Sequence, residues 1–192
     1  MAGKRKVGNL MALAVLWYLE REPMHTYEIA RSLHESGDAR SIKVKHGSLY
    51  MVVQQLVRAG FIVEQETTRS GRRPERTVYS LTDDGRREGR DWLRQLLEEP
   101  EPEYPRFAAG LSLIHALPRH EVADSLRRRL HRLEDQRAET RNVMATAAMA
   151  EPGALSDVKE EYRLAMLDAE STFVARVVER LHGARMELAT RR

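Results

Sequence analysis

Apolar residues fill nearly every position from 7 to 22, and the run halts at Pro23, which predicts a well-buried first helix. A second, shorter helix is expected over residues 26–36, with Ile29, Ala30 and Leu33 on one face and Thr26 or His25 as its N-cap. Residues 37–46 read as a polar connector in which Ile42 and Val44 alternate with Lys43 and Lys45. Helical spacing then returns over residues 47–59. At about 100° per residue, Leu49, Val52, Val53 and Leu56 share one sector, with Ser48, Met51, Gln54, Gln55 and Arg58 opposite and Tyr50 on the flank nearer Gln54. Gly60 stands where a helix ends in a left-handed residue.

Short strands are expected next over residues 61–66 and 77–81, joined through "TTRSGRRPER" into a hairpin with a long loop. Thr82 caps a further helix whose first turn carries Asp83 and Asp84, acids that favour the positive end of the helix dipole. That helix runs to about residue 99, with Trp92, Leu93, Leu96 and Leu97 expected inward. "PEPEYP", residues 100–105, holds three prolines and marks a boundary. Beyond it the pattern is helical throughout. A compact apolar helix spans 107–117, and a long one spans 120–149 with Val122, Leu126, Leu130, Leu133, Arg137, Thr140 and Met144 in a stripe. A last helix runs from about 156 to 188, its stripe read as Val158, Tyr162, Ala165, Ala169, Phe173, Val177 and Leu181. Helices of about 30 residues reach roughly 45 Å, and one antiparallel pair cannot bury both stripes, so a partner chain is expected.

Three helices followed by a hairpin are the parts of a winged helix-turn-helix domain. The expected architecture is therefore mostly α with a small β-hairpin. A DNA-binding domain would occupy residues 1–99, a Pro-rich linker 100–105, and a helical dimerisation domain 106–192.

Composition narrows the function. With 42% hydrophobic and 32% charged residues the chain is globular, and no apolar run reaches the roughly 18–20 residues of a membrane span. No leader peptide is expected, since no small-residue cleavage site follows the first apolar run. The absence of cysteine excludes disulfide scaffolds, cysteine metal sites and thiol nucleophiles, and leaves the cytoplasm as the expected location. Residues 1–82 hold 13 Lys/Arg against 8 Asp/Glu, a net of +5, whereas residues 83–192 hold 19 against 21, a net of −2. That asymmetry places a polyanionic partner on the N-terminal part.

The outward face of the third helix carries a hydroxyl, a methionine, two amides and an arginine, and no acid. Amides pair with adenine, arginine with guanine, and apolar groups with the thymine methyl, so Ser48, Tyr50, Met51, Gln54, Gln55 and Arg58 suit a major groove. Lys43, Lys45 and His46 stand just before it, where phosphates would lie. Arg69, Arg72, Arg73 and Arg76 crowd the hairpin loop, diluted only by Glu75, and suit a wing gripping the phosphate backbone.

"HTYEIARSL", "GSLYMVVQQLVRAGFI" and "GRRPERTVYSLTDDGRR" together resemble the PadR family of bacterial transcriptional regulators, in detail over about residues 8–95. The helical region after Pro100 resembles the longer-tailed branch by architecture rather than by motif. The resemblance implies that residues 47–59 are the recognition helix, that Ser48 and Tyr50 match DNA-touching positions, and that residues 72–76 match the wing. It further implies a homodimer on an inverted repeat, often a repressor released by a small molecule near the dimer interface. Two positions depart from the family pattern: Thr26 stands where glycine is usual, and Met51 where proline is usual.

Trp17, Trp92, Phe107, Tyr162 and Phe173 are aromatics that suit an effector pocket or plain packing. In some relatives a tryptophan after the wing stacks on planar ligands, which singles out Trp92. "HEVAD" lacks the second histidine of a zincin motif, and "SDVK" lacks any companion acyl-transfer motif, so no metal, cofactor or enzymatic activity is expected. Double-stranded DNA, a second copy of the chain and a small-molecule effector are the expected partners, with no membrane. The alternative is a winged-helix adaptor that binds a protein partner through its long helices.

Overall fold

The computed structural model describes residues 5–38, 41–42, 46–68, 76–150 and 157–190. The chain divides into two compact units, Met1–Pro102 and Glu103–Arg192.

In the first unit, α1 (Leu10–Arg21) starts at Asn9, whose side chain accepts from the Met11 N–H at 2.9 Å, and stops before Pro23. Met11, Ala12, Val15, Leu16 and Leu19 are all but completely buried, so α1 is the spine of the core. A two-residue strand, β1 (Met24–His25), leads directly into α2 (Thr26–Glu35). His25 is the α2 N-cap. Its backbone N–H donates to the Glu28 carboxylate at 2.8 Å, and its ring Nδ1 lies 3.0 Å from the Thr77 carbonyl. Ile29, Ala30 and Leu33 point into the core as expected. Gly37, at φ 73°, ends the helix in the left-handed region.

Helix α3 (His46–Ala59) buries Leu49, Val52, Val53 and Leu56 at 3% exposure or less, the four positions its periodicity predicts. Each contributes about 1.5–3 kcal/mol by removal from water. Gly60, at φ 77°, closes it: the Gly60 N–H donates to the Val57 carbonyl and the Phe61 N–H to the Leu56 carbonyl, both at 3.0 Å. This pair of bonds is a Schellman cap, and it turns the chain at once into β2 (Ile62–Thr68).

Strand β2 pairs antiparallel with β3 (Arg76–Leu81), and β1 pairs with the other edge of β3. The sheet order is β1-β3-β2, so the expected hairpin is one strand larger than predicted. β1 escapes sequence detection because two residues are too few to show alternation.

Thr82 opens α4 (Asp83–Glu98) and serves two ends at once. Its hydroxyl accepts from the Gly85 N–H at 3.0 Å and lies 2.8 and 3.0 Å from the Gly60 and Phe61 carbonyls as donor. Its backbone N–H also donates to Phe61 O at 3.0 Å. Gly85 sits so close to this junction that a Cβ there would fall 2.0 Å from Phe61 O.

The predicted inward face of α4 needs correction. Trp92 is buried, but Leu93, Leu96 and Leu97 are 44, 42 and 79% exposed. Gly85, Gly89 and Trp92, at i, i+4 and i+7, form the inward line. The glycines let α4 lie close to α1, and that line turns the leucines outward. Arg5 covers Trp92, its guanidinium 5.3 Å from the ring centroid and bonded to Glu88 at 2.7 Å.

The second unit begins with α5 (Arg106–Ser112) and a 3-10 turn (Ile114–Ala116), two pieces where one helix is expected. Helix α6 (Arg119–Ala150) packs antiparallel on α7 (Val158–Thr190) through Val122, Leu126, Leu133, Val174 and Val178. Arg129 stacks 3.7 Å above the Phe107 ring and binds Glu170 at 2.5 Å, while Arg137 pairs with Asp168. The α6 stripe is as predicted. The α7 stripe is so only in part: Val177 and Leu181 pack against this core, whereas Val158, Tyr162 and Phe173 are 45, 67 and 38% exposed and Ala165 and Ala169 are exposed too. Helix α7 carries apolar residues on two sides, and α6 covers only the one holding Leu167, Val174 and Val178.

Two glycines about one turn apart on α4 test this packing. Gly85→Ala forces a Cβ into the Phe61 carbonyl and is expected to lower stability by about 2–3 kcal/mol in urea denaturation. Gly89→Ala places its Cβ 3.5 Å from Leu16 Cβ, an ordinary contact, and is expected to be neutral or to stabilise by about 0.5–1 kcal/mol.

Candidate nucleic-acid interface

The outward face of α3 is where the sequence-derived residues meet. Tyr50 is 62% exposed and Met51 66%, Gln54, Gln55 and Arg58 are exposed, and Ser48 is half-buried. Among the described residues of α3, no acid interrupts this surface. His46 is the first residue of α3 and Arg76 the first of β3. Lys43, Lys45, Arg69, Arg72 and Arg73 lie outside the described residues.

A partly buried cluster around the Tyr18 hydroxyl lies between the end of α2 and Asp38. The Tyr18 hydroxyl donates to Asp38 Oδ2 at 2.7 Å, with Ser36 Oγ also at 2.7 Å and the Ser32 carbonyl at 3.3 Å. Burial raises the Tyr18 pKa, as does the neighbouring Asp38, so the phenol keeps its proton for that bond. The Asp38 carbonyl in turn accepts from the Ser41 and Ile42 N–H groups at 2.9 and 2.8 Å.

Two tyrosines lie outside the sequence-derived set. Tyr79, buried on β3, hydrogen-bonds through its hydroxyl to the Gln54 side chain, so one amide of the face is oriented by the sheet. Burial raises the Tyr79 pKa, and Glu64, its cross-strand partner, adds to the shift. Tyr27, in the first turn of α2, is 69% exposed and presents a phenol that its sequence position did not single out. The period-2 alternation of β3 points Tyr79 inward, but nothing in the sequence alone pairs it with Gln54.

The effector candidates are scattered. Trp17 is 51% exposed on α1, and Trp92 is buried beneath Arg5. Phe107 and Tyr162 belong to the second unit, the first half-buried under Arg129 and the second 67% exposed. Among the described residues no group of three or more His, Asp or Glu side chains is placed to hold a metal ion. None of their helices is long and apolar enough to cross a membrane.

Three helices, a flanking sheet and an exposed third helix define a winged helix-turn-helix protein. Comparison with known proteins agrees. Residues 15–91 match the transcriptional regulator PadR-like family. The negative transcriptional regulator PadR of Bacillus subtilis is 30% identical over 144 residues, covering 72% of this chain and 78% of that protein. The crystal structure of Bacillus subtilis PadR in complex with operator DNA superposes with a TM-score of 0.72 at 22% identity, over 91% of this chain and 98% of the other. The structure of the same regulator in complex with p-coumaric acid gives 0.73 at 19%, over 91% and 99%. A PadR-like regulator from Bacillus cereus gives 0.63 at 16%, over 91% and 99%. These structural likenesses establish the fold. The chain belongs to the PadR family, a family of DNA-binding transcriptional regulators rather than enzymes.

Helices α1 and α4 are tied through Glu20, which binds Arg90 at 2.7 Å and Arg86 at 3.1 Å. The Arg90 hydrogen bond, chiefly, holds the Glu20 carboxyl below its ordinary value of 4.5. A carboxyl depressed in the folded state stabilises above its unfolded pKa and loses that contribution as pH falls through the folded one. Wild type is therefore expected to lose more stability than Glu20→Gln on acidification through that range, measured by thermal melts, and to converge with it at the acid end.

Proposed function

We propose that the chain is a homodimeric repressor that binds an inverted-repeat operator. Residues 1–99 bind DNA, 100–105 link, and 106–192 dimerise. The observation that carries this reading is the exposed, acid-free face of α3 in a protein with 29 Asp/Glu. Ser48, Tyr50, Met51, Gln54, Gln55 and Arg58 meet base edges and the first phosphates. Lys43, Lys45 and His46 hold the backbone ahead of the helix, and Arg69, Arg72, Arg73 and Arg76 form the wing grip. The relative described as a negative regulator, and captured with operator DNA, supports both the sign and the target.

The exposed stripe of α7 supports the dimer. Tyr162, Met166 and Phe173 form an apolar row that α6 leaves uncovered. A second copy buries it, and the two-fold axis then gives the operator its symmetry. The complex of Bacillus subtilis PadR with p-coumaric acid supports release by a small molecule, for which Trp17, Trp92, Phe107 and Tyr162 are the aromatic candidates. Such a regulator works in the cytoplasm.

Gel-shift titration on an inverted-repeat promoter fragment tests the DNA half. Affinity is expected to fall steeply with salt, and Arg72→Ala with Arg73→Ala to reduce the log–log slope by about 2. A slope unchanged by that pair removes the wing from the interface. Sedimentation tests the dimer: Tyr162→Glu with Phe173→Glu is expected to yield monomers with weakened operator binding, and an intact dimer refutes the interface.

A further inference from the structure

A groove of about 460 Å³ lies within the second unit, where the start of α6 runs beside the end of α7. Ala123 and Leu181 form its floor, and Arg119, His120, Asp124, Arg127 and His182 supply its polar groups. Helical spacing explains the grouping, because residues 119, 120, 123, 124 and 127 fall within about 140° of the α6 circumference. Glu121, at about 200° on the same count, falls outside that sector. Leu181 packs against the α6–α7 core and so holds His182 beside it.

The polar side chains are joined across the two helices. One terminal nitrogen of Arg127 donates to Asp124 at 2.5 Å, and the other donates to His182 Nε2. Arginine has no acceptor, so Nε2 takes the accepting role and the proton sits on Nδ1, free to donate. Arg119 and His120 are exposed, and neither side chain has an ion pair among the described residues. Two guanidiniums against one carboxylate leave the described lining with a net charge of +1, the histidines counted neutral. A cation meets that excess charge, and a metal ion finds both Asp124 and His182 Nε2 engaged by Arg127. An apolar ligand gains little, since the hydrocarbon is confined to Ala123 and Leu181. A phosphate group suits the lining, because its three terminal oxygens accept from guanidinium and imidazole donors on both helices. The volume is that of a small-molecule site rather than of a single ion.

We propose that this groove binds a phosphate monoester of a small polar alcohol, with Arg119, His120 and His182 donating to the phosphate and Arg127 fixing the His182 ring. The ester then bridges α6 and α7 at the end where no turn connects them. Occupancy ties the open end of the helix pair and stabilises the chain by mass action. The assignment does not depend on α3 reading DNA.

The test uses the full chain with glycerol 3-phosphate, glucose 6-phosphate and inorganic phosphate as probes, and glucose as the uncharged counterpart. Calorimetry is expected to show saturable binding of both esters at one per chain, at least fivefold tighter than inorganic phosphate, with none for glucose. The melting temperature should rise with ester concentration. In proton–carbon spectra of the histidines, the esters should shift His120 and His182 and leave His25 and His131 in place. Arg119→Glu and His182→Gln, both at exposed positions, should weaken ester binding at least tenfold while melting like wild type without ligand. Arg141→Gln, an exposed position about 20 Å further along α6, should leave binding unchanged. The site is refuted by absence of saturable ester binding, by equal binding in both folded variants, or by shifts confined to other histidines. Inorganic phosphate binding as tightly as the esters also refutes it, since the groove is then a simple anion contact. Operator binding by the ester-free chain should be the same in Arg119→Glu as in wild type, and its loss assigns the groove to DNA and refutes the proposal. A wild-type chain that binds no operator overturns the proposed function, while the ester titration still decides the groove.

Discussion

The first unit is organised around one close approach, between Gly85 and the backbone of Phe61. No side chain fits there, since even a methyl group would sit 2.0 Å from the Phe61 oxygen. That oxygen also accepts from the Thr82 backbone, and the Thr82 hydroxyl adds a bond to the Gly60 carbonyl. The end of α3, the start of β2, the end of β3 and the start of α4 thus meet within a few residues. α3 and the two strands that follow it are joined at one corner, as the proposed binding of a single duplex by both requires.

The polar interactions fall into two kinds. Among the described residues, one group of ion pairs consists of exposed i,i+3 or i,i+4 pairs on single helices, such as Arg87–Asp84 and Arg94–Asp91, which contribute little. Another group bridges elements: Arg5 to Glu88 over Trp92, Glu20 to Arg86 and Arg90, Arg129 to Glu170 over Phe107, and Arg137 to Asp168. The first three lie where helices pack through glycines or aromatics and fix the distance between them. The face of α3 stands apart, because the Gln54 amide is tethered by Tyr79 while Met51 and Arg58 project into solvent.

Much of this was legible in the sequence, for identifiable reasons. α3 shows its core face because a helix half-buried in a small unit must segregate Leu49, Val52, Val53 and Leu56 from its polar side. Gly60 and Thr82 announce helix ends through backbone chemistry that few other residues supply. Two helices defeated the same reasoning. In α4, the inward line contains two glycines, so a count of large apolar residues selects Leu93, Leu96 and Leu97, which point out. In α7 both faces are apolar, and periodicity cannot tell which meets α6. The two-residue β1 and the Tyr79–Gln54 bond depend on tertiary approach, which no local pattern encodes. Of the site, the exposed positions on α3 were readable, the sheet residues behind them were not, and the groove between Arg119 and His182 follows only once α6 and α7 are brought together.

We propose that the outward face of α3, presented twice by a symmetric dimer, reads DNA sequence. Selection of bound sites from random DNA, with wild type and with Gln55→Ala and Arg58→Ala, measures this most directly. The expected result is an inverted repeat with half-site centres about one helical turn apart, and relaxed preference at one symmetric pair of positions for each variant. Enrichment of no repeat, or of the same repeat undiminished in both variants, would contradict it.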